Sequence, residues 1–174
     1  MDPLSPVATQ FILHWGEMSS RWGINRSMAQ IHALLYLSTD PLNAEQMSDT
    51  LALARSNVST SLRELQAWGI VKVVHLLGDR RDFFETMKDP WKMLLTILEH
   101  RRRREIDPTI AMLRQCIDRA ENSDDQDDHS RQRMLELLEL LETLTTWHEQ
   151  VGRLSPSVQK KVLKMGGKIH EIAK

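Results

Sequence analysis

The sequence holds a single cysteine, Cys116, in 174 residues. That excludes an internal disulfide and a Cys-rich zinc site, and it suits a reducing compartment. No stretch stays apolar for eighteen residues, so no membrane-spanning helix is expected. Met1 to Val7 carries Asp2 and two prolines where a signal peptide would carry a basic start and an apolar run. The chain therefore reads as soluble and cytoplasmic. A surplus of charge is missing too: 23 Lys+Arg stand against 24 Asp+Glu, so no overall basic field announces nucleic acid. The seven histidines, at 14, 32, 75, 100, 129, 148 and 170, include no pair at zinc-ligand spacing with a carboxylate partner. Neither a nucleophile elbow nor a phosphate loop occurs, and there is no internal repeat. No metal, no cofactor and no enzymatic activity are expected.

What is present is mostly helix. Ser5-Pro6 resembles an N-cap followed by proline at the first helical position, and Val7, Phe11, Trp15, Met18 and Trp22 then recur at helical spacing. Ser27 with Gln30 forms the pattern of a capping box ahead of Met28, Ile31, Leu34 and Leu35, and Asn43 with Gln46 repeats it ahead of Met47 and Leu51. Val58, Leu62 and Leu65 mark a further helix that Gly69 ends. From Ile70 the pattern turns β-branched, and Ile70 to Val74 and Asp82 to Thr86 read as a two-stranded hairpin with a charged tip. Asp89-Pro90 restarts helix, which runs through Arg101 to Arg104 to about Ala120, with Pro108 kinking or breaking it. Glu121 to Ser130 reads as a polar loop. Its acids Asp124, Asp125, Asp127 and Asp128 lack the glycine and terminal glutamate of a calcium loop. Two amphipathic helices close the chain, one through Leu137, Leu138, Leu141 and Leu144, the other through Val162, Ile169 and Ile172.

The segment from Asn43 to Thr86 is thus helix, tight turn, helix, hairpin. On its second helix Val58, Leu62 and Leu65 must face the core, and rotation by about 100 degrees per residue places Ser56, Ser59, Thr60 and Arg63 opposite, with Arg55 and Gln66 at the margin. That outward face is short, polar and free of acid. Small hydrogen-bonding side chains with an arginine among them are what a helix needs to read base edges in the major groove. Arg80 and Arg81, at the hairpin tip, lie where a wing touches the backbone or probes the minor groove. The candidate DNA-contacting residues are Arg55, Ser56, Asn57, Ser59, Thr60, Arg63, Lys72, Arg80 and Arg81. Residues 1–90 hold 8 Lys+Arg and 10 Asp+Glu. Affinity for phosphate then depends on local placement of these cations, with acids such as Glu45, Asp49 and Glu85 expected to point elsewhere. The Arg101 to Arg104 run reads as a solvated helix face.

The stretch Leu51 to Leu65, with Trp68-Gly69-Ile70-Val71 and Gly78-Asp79-Arg80-Arg81-Asp82-Phe83-Phe84-Glu85, resembles the MarR superfamily of bacterial regulators. The join at Asp89-Pro90-Trp91-Lys92 is similar to that of its GbsR-type branch. Two positions depart from the family pattern: Ala52 stands where a turn glycine is frequent, and Ala54 where a serine or threonine cap is frequent. The resemblance implies a mainly α fold, a winged helix-turn-helix core with a two-stranded wing, and long terminal helices that form a homodimer on a pseudo-palindromic double-stranded DNA site. The corresponding division is residues 1–26 (N-terminal helix), 27–89 (DNA-binding domain) and 90–174 (dimerisation region), with Leu137, Leu138, Leu141, Leu144, Val162 and Ile169 buried in the dimer. Repression rather than activation, and association with the nucleoid, are implied in the same way. So is an osmolyte-like effector of the quaternary ammonium kind, which aromatic faces bind. Trp15, Trp22, Tyr36 and Trp91 are the candidates for it, although an aromatic stripe such as that of Trp15 and Trp22 is more often core or interface. Cys116, with Asp118 nearby, is not expected to be a reactive thiol. The competing expectation is a winged helix that binds protein, as an adaptor or basal transcription component; it requires an exposed apolar patch on the outward helix face, where Ser56, Ser59, Thr60 and Arg63 stand instead.

Overall fold

The computed structural model describes residues 4–122 and 128–166. The chain divides into two compact units, Met1–Ile97 and Leu98–Lys174. The first contains α1 (Pro6–Arg21), α2 (Arg26–Leu37), β1 (Leu42–Asn43), α3 (Ala44–Leu51), α4 (Arg55–Ala67), β2 (Val71–Val74), β3 (Phe83–Thr86) and the start of α5 (Pro90–Arg101). The second contains the end of α5, a π-helical turn (Arg102–Ile106), α6 (Asp107–Glu121), α7 (Asp128–Gly152) and α8 (Pro156–Gly166). The acidic positions Asp124, Asp125 and Asp127, and Ile169 and Ile172, lie outside the described residues.

In the first unit, one face of each helix feeds a single core. Ile12, Ile31, Leu35, Met47, Val58, Leu62 and Leu65 are all buried there, and α2 is the element around which the others pack. Gly16 lets α1 come close to α2: a Cβ at this position would lie 2.8 Å from Gln30 Cγ and 3.3 Å from the Arg26 carbonyl oxygen. The cap of α2 is Asn25, not Ser27: the Asn25 side chain accepts from the Met28 N–H at 3.2 Å. Asparagine caps as well as serine, and starting earlier adds half a turn of helix. Ser27 is left inside the helix, where its hydroxyl accepts from the Asn57 side-chain amide at 3.0 Å. At the other end of α2, the Lys88 ammonium donates to the carbonyls of Leu35 (2.7 Å), Tyr36 (3.0 Å) and Ser38 (2.5 Å). A cation thereby satisfies carbonyls that the helix cannot pair itself.

The sheet has three strands in the order β1-β3-β2, all antiparallel. The wing hairpin β2-β3 is as expected from its β-branched run. A short third strand joins this expected two-stranded hairpin: Leu42 pairs with Phe84 and Asn43 with Phe83. Two residues between Pro41 and a capped helix are too short to show a period of two, but their pairing ties the base of the wing to the start of α3.

In the second unit α6 packs on α7 and buries Ile110, Leu113 and Ile117. The helix expected to run through Pro108 is interrupted just before it, where the Asp107 N–H reaches back to the Arg102 carbonyl and the turn widens to π geometry. Proline has no N–H to continue the ladder, and a π turn accommodates the mismatch. Arg102 is turned inward, against the solvated-face expectation, and meets Glu99 (3.0 Å), Asp107 (3.1 Å) and Glu149 (3.6 Å). Hydrogen bonds from Arg102, and further from Arg103, hold the Glu99 carboxyl down at about 2. Of the positions expected in the dimer, Leu138, Leu141 and Val162 are half-buried in the single chain and Leu137 and Leu144 are exposed. Among the described residues, no helix is long and apolar enough to cross a membrane.

Candidate nucleic-acid interface

The helix-turn-helix begins with a full capping box. The Asn43 side chain accepts from the Gln46 N–H (3.0 Å), and the Gln46 side chain accepts from the Asn43 N–H (2.8 Å). The turn after α3 passes through Ala52 in the left-handed region, φ 51° and ψ 43°. It is held by the Leu53 N–H donating to the Ser48 carbonyl (3.0 Å) and the Ser48 hydroxyl donating to the Leu53 carbonyl (2.6 Å). Ala54 is the N-cap of α4 and gives no side-chain hydrogen bond. Of the two departures from the pattern, Ala52 thus takes up left-handed backbone and Ala54 leaves α4 without a side-chain cap.

On α4, Val58, Ser61, Leu62 and Leu65 are buried, while Arg55, Ser56, Ser59, Thr60 and Arg63 are exposed and Gln66 is half-buried. Thr60 Oγ1 accepts from the Arg63 guanidinium at 3.3 Å, which lays the arginine along the outward face. Asn57 departs from the role expected of it. Its side chain is turned inward, donating to the Ser27 hydroxyl (3.0 Å) and joining α4 to α2.

The wing carries Lys72 on β2, and Arg80 and Arg81 in the loop before β3. The acids do not all point away from these cations, as the charge count had led us to expect. Glu45 pairs with Arg55, Glu85 with Lys72 at 2.7 Å, and Asp79 with Arg81 at 2.5 Å. Asp79 also accepts the Arg81 backbone N–H at 2.9 Å, and these Arg81 bonds hold its carboxyl at about 2. The Arg81 guanidinium lies 5.5 Å from the centre of the Phe83 ring. Arg63 and Arg80 are the candidate cations with no ion pair among the described residues. Glu45 is the acid that no single-helix argument could have assigned, because its partner sits one helix further on.

A groove of about 540 Å³ separates α4 from the wing, with Arg55, Arg63 and Arg81 among its lining residues. A second, of about 610 Å³, lies between α1, α2 and α3, lined by Leu4, Ile12, Leu13, Gln30 and Leu51 among others. Neither is lined by Trp15, Trp22, Tyr36 or Trp91. Trp15 stacks on Phe11 at 5.5 Å, Tyr36 lies 6.3 Å from the His32 ring, Trp91 is half-buried, and Trp22 is 63% exposed. Cys116 is half-buried and lies 3.6 Å from the Met112 sulfur. Among the described residues, no group of three or more His, Cys, Asp or Glu side chains could hold a metal ion.

Comparison with known proteins agrees with this geometry. The family model described as the MarR family matches residues 22–82. The "HTH-type transcriptional repressor GbsR" of Bacillus subtilis (strain 168) is 23% identical over 99 residues, covering 57% of this chain and 54% of its own. The "Putative HTH-type transcriptional regulator YvaV" of the same organism is 21% identical over 99 residues, covering 55% of this chain and 56% of its own. The chain therefore spans about half the length of these relatives. A crystal structure described as that of a transcriptional regulator shares the fold, with a TM-score of 0.69 at 18% identity over 83% of this chain and 95% of that one. Residues 22–82 are thus similar to the MarR family model, over the part of the chain that folds as α2, β1, α3, α4 and β2.

Proposed function

We propose that the protein is a transcription regulator that binds a pseudo-palindromic duplex DNA site as a homodimer and represses the adjacent gene. The observation that carries this reading is the exposed row Ser56, Ser59, Thr60 and Arg63 on α4, anchored behind by buried Val58, Leu62 and Leu65. It offers hydroxyl groups and a guanidinium that bonds to Thr60 and has no ion pair among the described residues, which suits the donor and acceptor edges of the major groove. The wing, where Arg80 has no ion pair among the described residues, is suited to the neighbouring backbone and minor groove. Residues 27–89 would bind DNA while 1–26 and 90–174 supply the dimer, and two α4 helices about one DNA turn apart would match the two half-sites. The name of the B. subtilis repressor supports repression. The protein would act in the cytoplasm, on the nucleoid.

An effector of the quaternary ammonium class on Trp15, Trp22, Tyr36 or Trp91 is the finer part of the proposal, and it rests on the resemblance and on the affinity of aromatic faces for such cations. Titration with choline, glycine betaine and ectoine, followed by tryptophan fluorescence, tests it; no saturable response to any of them removes this ligand class.

The main reading is tested by selecting duplexes from a random pool with the full-length protein and measuring their gel retardation. Arg63→Ala should weaken binding to the selected duplex by about tenfold or more while the oligomer stays intact. Unchanged binding by this variant would remove α4 as the reading helix.

A further inference from the structure

Among the described residues, the most exposed large apolar side chain sits at the point of the wing. Leu77 is fully open to solvent, at 108% of its reference area, and its neighbour Leu76 is 42% exposed. Solvent-facing turns favour glycine, proline, asparagine and aspartate, so two adjacent leucines gain nothing as turn formers. The turn itself is well defined. The Asp79 N–H donates to the Leu76 carbonyl at 3.1 Å, and Gly78 takes φ +83° with open space around it. That is the positive φ a type II turn requires at its third residue, and it puts Leu77 at the second, outermost corner.

The charges around the point are divided. Arg81 is drawn back along the wing, bonded to Asp79 and lying against Phe83, whereas Arg80 is exposed and without an ion pair among the described residues. The wing therefore ends in an apolar point with a free guanidinium beside it. Apolar side chains carried on a rigid element beside a cation unstack base steps from the minor groove, and the resulting kink lets the duplex meet more of the protein.

Resting on the reading of the protein as a DNA-binding regulator, we infer that Leu77 is a wedge that enters the minor groove flanking each half-site, unstacks a base step and bends the duplex, with Arg80 held on the adjacent phosphates. This adds a deformability requirement to the site, at positions that α4 does not touch.

The test uses full-length protein and a duplex that the wild type has selected from a random pool, with 2-aminopurine placed at successive flanking steps. The wild type should raise 2-aminopurine fluorescence at one step on each side and shorten the end-to-end distance measured by energy transfer. Leu77→Ala should lose both signals and bind about tenfold more weakly, while Leu77→Met keeps them. The side chain is wholly exposed, so both variants should fold and melt as the wild type does. Equal fluorescence and bending with Leu77→Ala overturns the wedge and leaves the DNA-binding reading standing. So does a Leu77→Ala protein that binds DNA normally and loses only the capture of another protein by the wing. A wild type that selects no duplex overturns both readings together.

Discussion

The Arg55 guanidinium, at the first turn of the reading helix, is bonded to the Glu45 carboxylate of the helix before it. The pair stands at the rim of the groove between α4 and the wing, with both side chains more than half exposed, at 72% and 51%. A phosphate arriving there must displace a carboxylate. Glu45→Gln should therefore release Arg55 to the duplex, tighten binding about two- to fivefold and steepen its salt dependence by up to about one counterion per protomer. The measurement is a binding isotherm at several salt concentrations. If the variant binds with the affinity and slope of the wild type, Arg55 does not meet phosphate.

The turn between the two helices has room for improvement. Ala52 is the one described non-glycine residue with positive φ, and Ala54 caps α4 without a side-chain acceptor. Ala52→Gly should stabilise the protein by about 0.5–1 kcal/mol by relieving the left-handed strain, less the entropy that glycine adds to the unfolded chain. Ala54→Ser should add about 1 kcal/mol by supplying a cap. Thermal melts of the single and double variants decide this. A lower melting temperature for Ala54→Ser would mean that residue 54 does not hold the extended cap geometry, φ −62° and ψ 139°, that the structure gives it.

Much of this architecture could be read along the chain, and the reason is local. The Asn43-Gln46 capping box, the buried row Val58, Leu62 and Leu65, and the β-branched run into β2 each express themselves within one element, where a period of 3.6 or 2 is visible. The same periodicity gave the outward face of α4. What it could not give were partners drawn from other elements. Asn57 looked like a surface residue because its amide is polar, yet it bonds to Ser27 thirty positions away. Glu45 and Glu85 were expected to turn aside, and they sit on Arg55 and Lys72. Lys88 closes the end of α2 across fifty residues, a bond with no local signature at all. Ser27 stands two residues past the cap that forms, Asn25, and its hydroxyl is taken up by Asn57 from another helix, which the local capping pattern does not show.

His32 is buried in α2, and its Nε2 has no hydrogen-bond partner. Burial, helped by the positive charge of Lys88, lowers its pKa from 6.5 to about 4. The unfolded chain therefore binds a proton that the folded chain refuses between those two values. Stability should be complete above about pH 6.5 and decline as pH falls towards 4, by about 2 kcal/mol between pH 7 and pH 5. His32→Leu removes the titrating group and loses no hydrogen bond at Nε2, so denaturant melts of the variant should be flatter over this range. An equal slope for the two proteins would mean that His32 is protonated in the folded state or that other groups dominate.

The second unit buries few large apolar side chains of its own among the described residues, namely Ile110, Leu113 and Ile117. On α7, Leu137, Leu140, Leu144 and Trp147 follow one another at spacings of three and four and remain 44% to 58% exposed. Such a seam is the pattern of a helix that packs against another helix, and a continuous apolar strip of this kind is costly to leave in water. With the proposed two-fold arrangement, the partner's helices would cover it. Leu144→Asp should then convert the dimer to monomers in sedimentation and weaken binding to a two-half-site duplex about a hundredfold or more, since each half-site must be captured separately. Binding to a single half-site should hold, because Leu144 lies in the other compact unit from α4. If Leu144→Asp remains a dimer, the subunits meet elsewhere and this seam has another occupant.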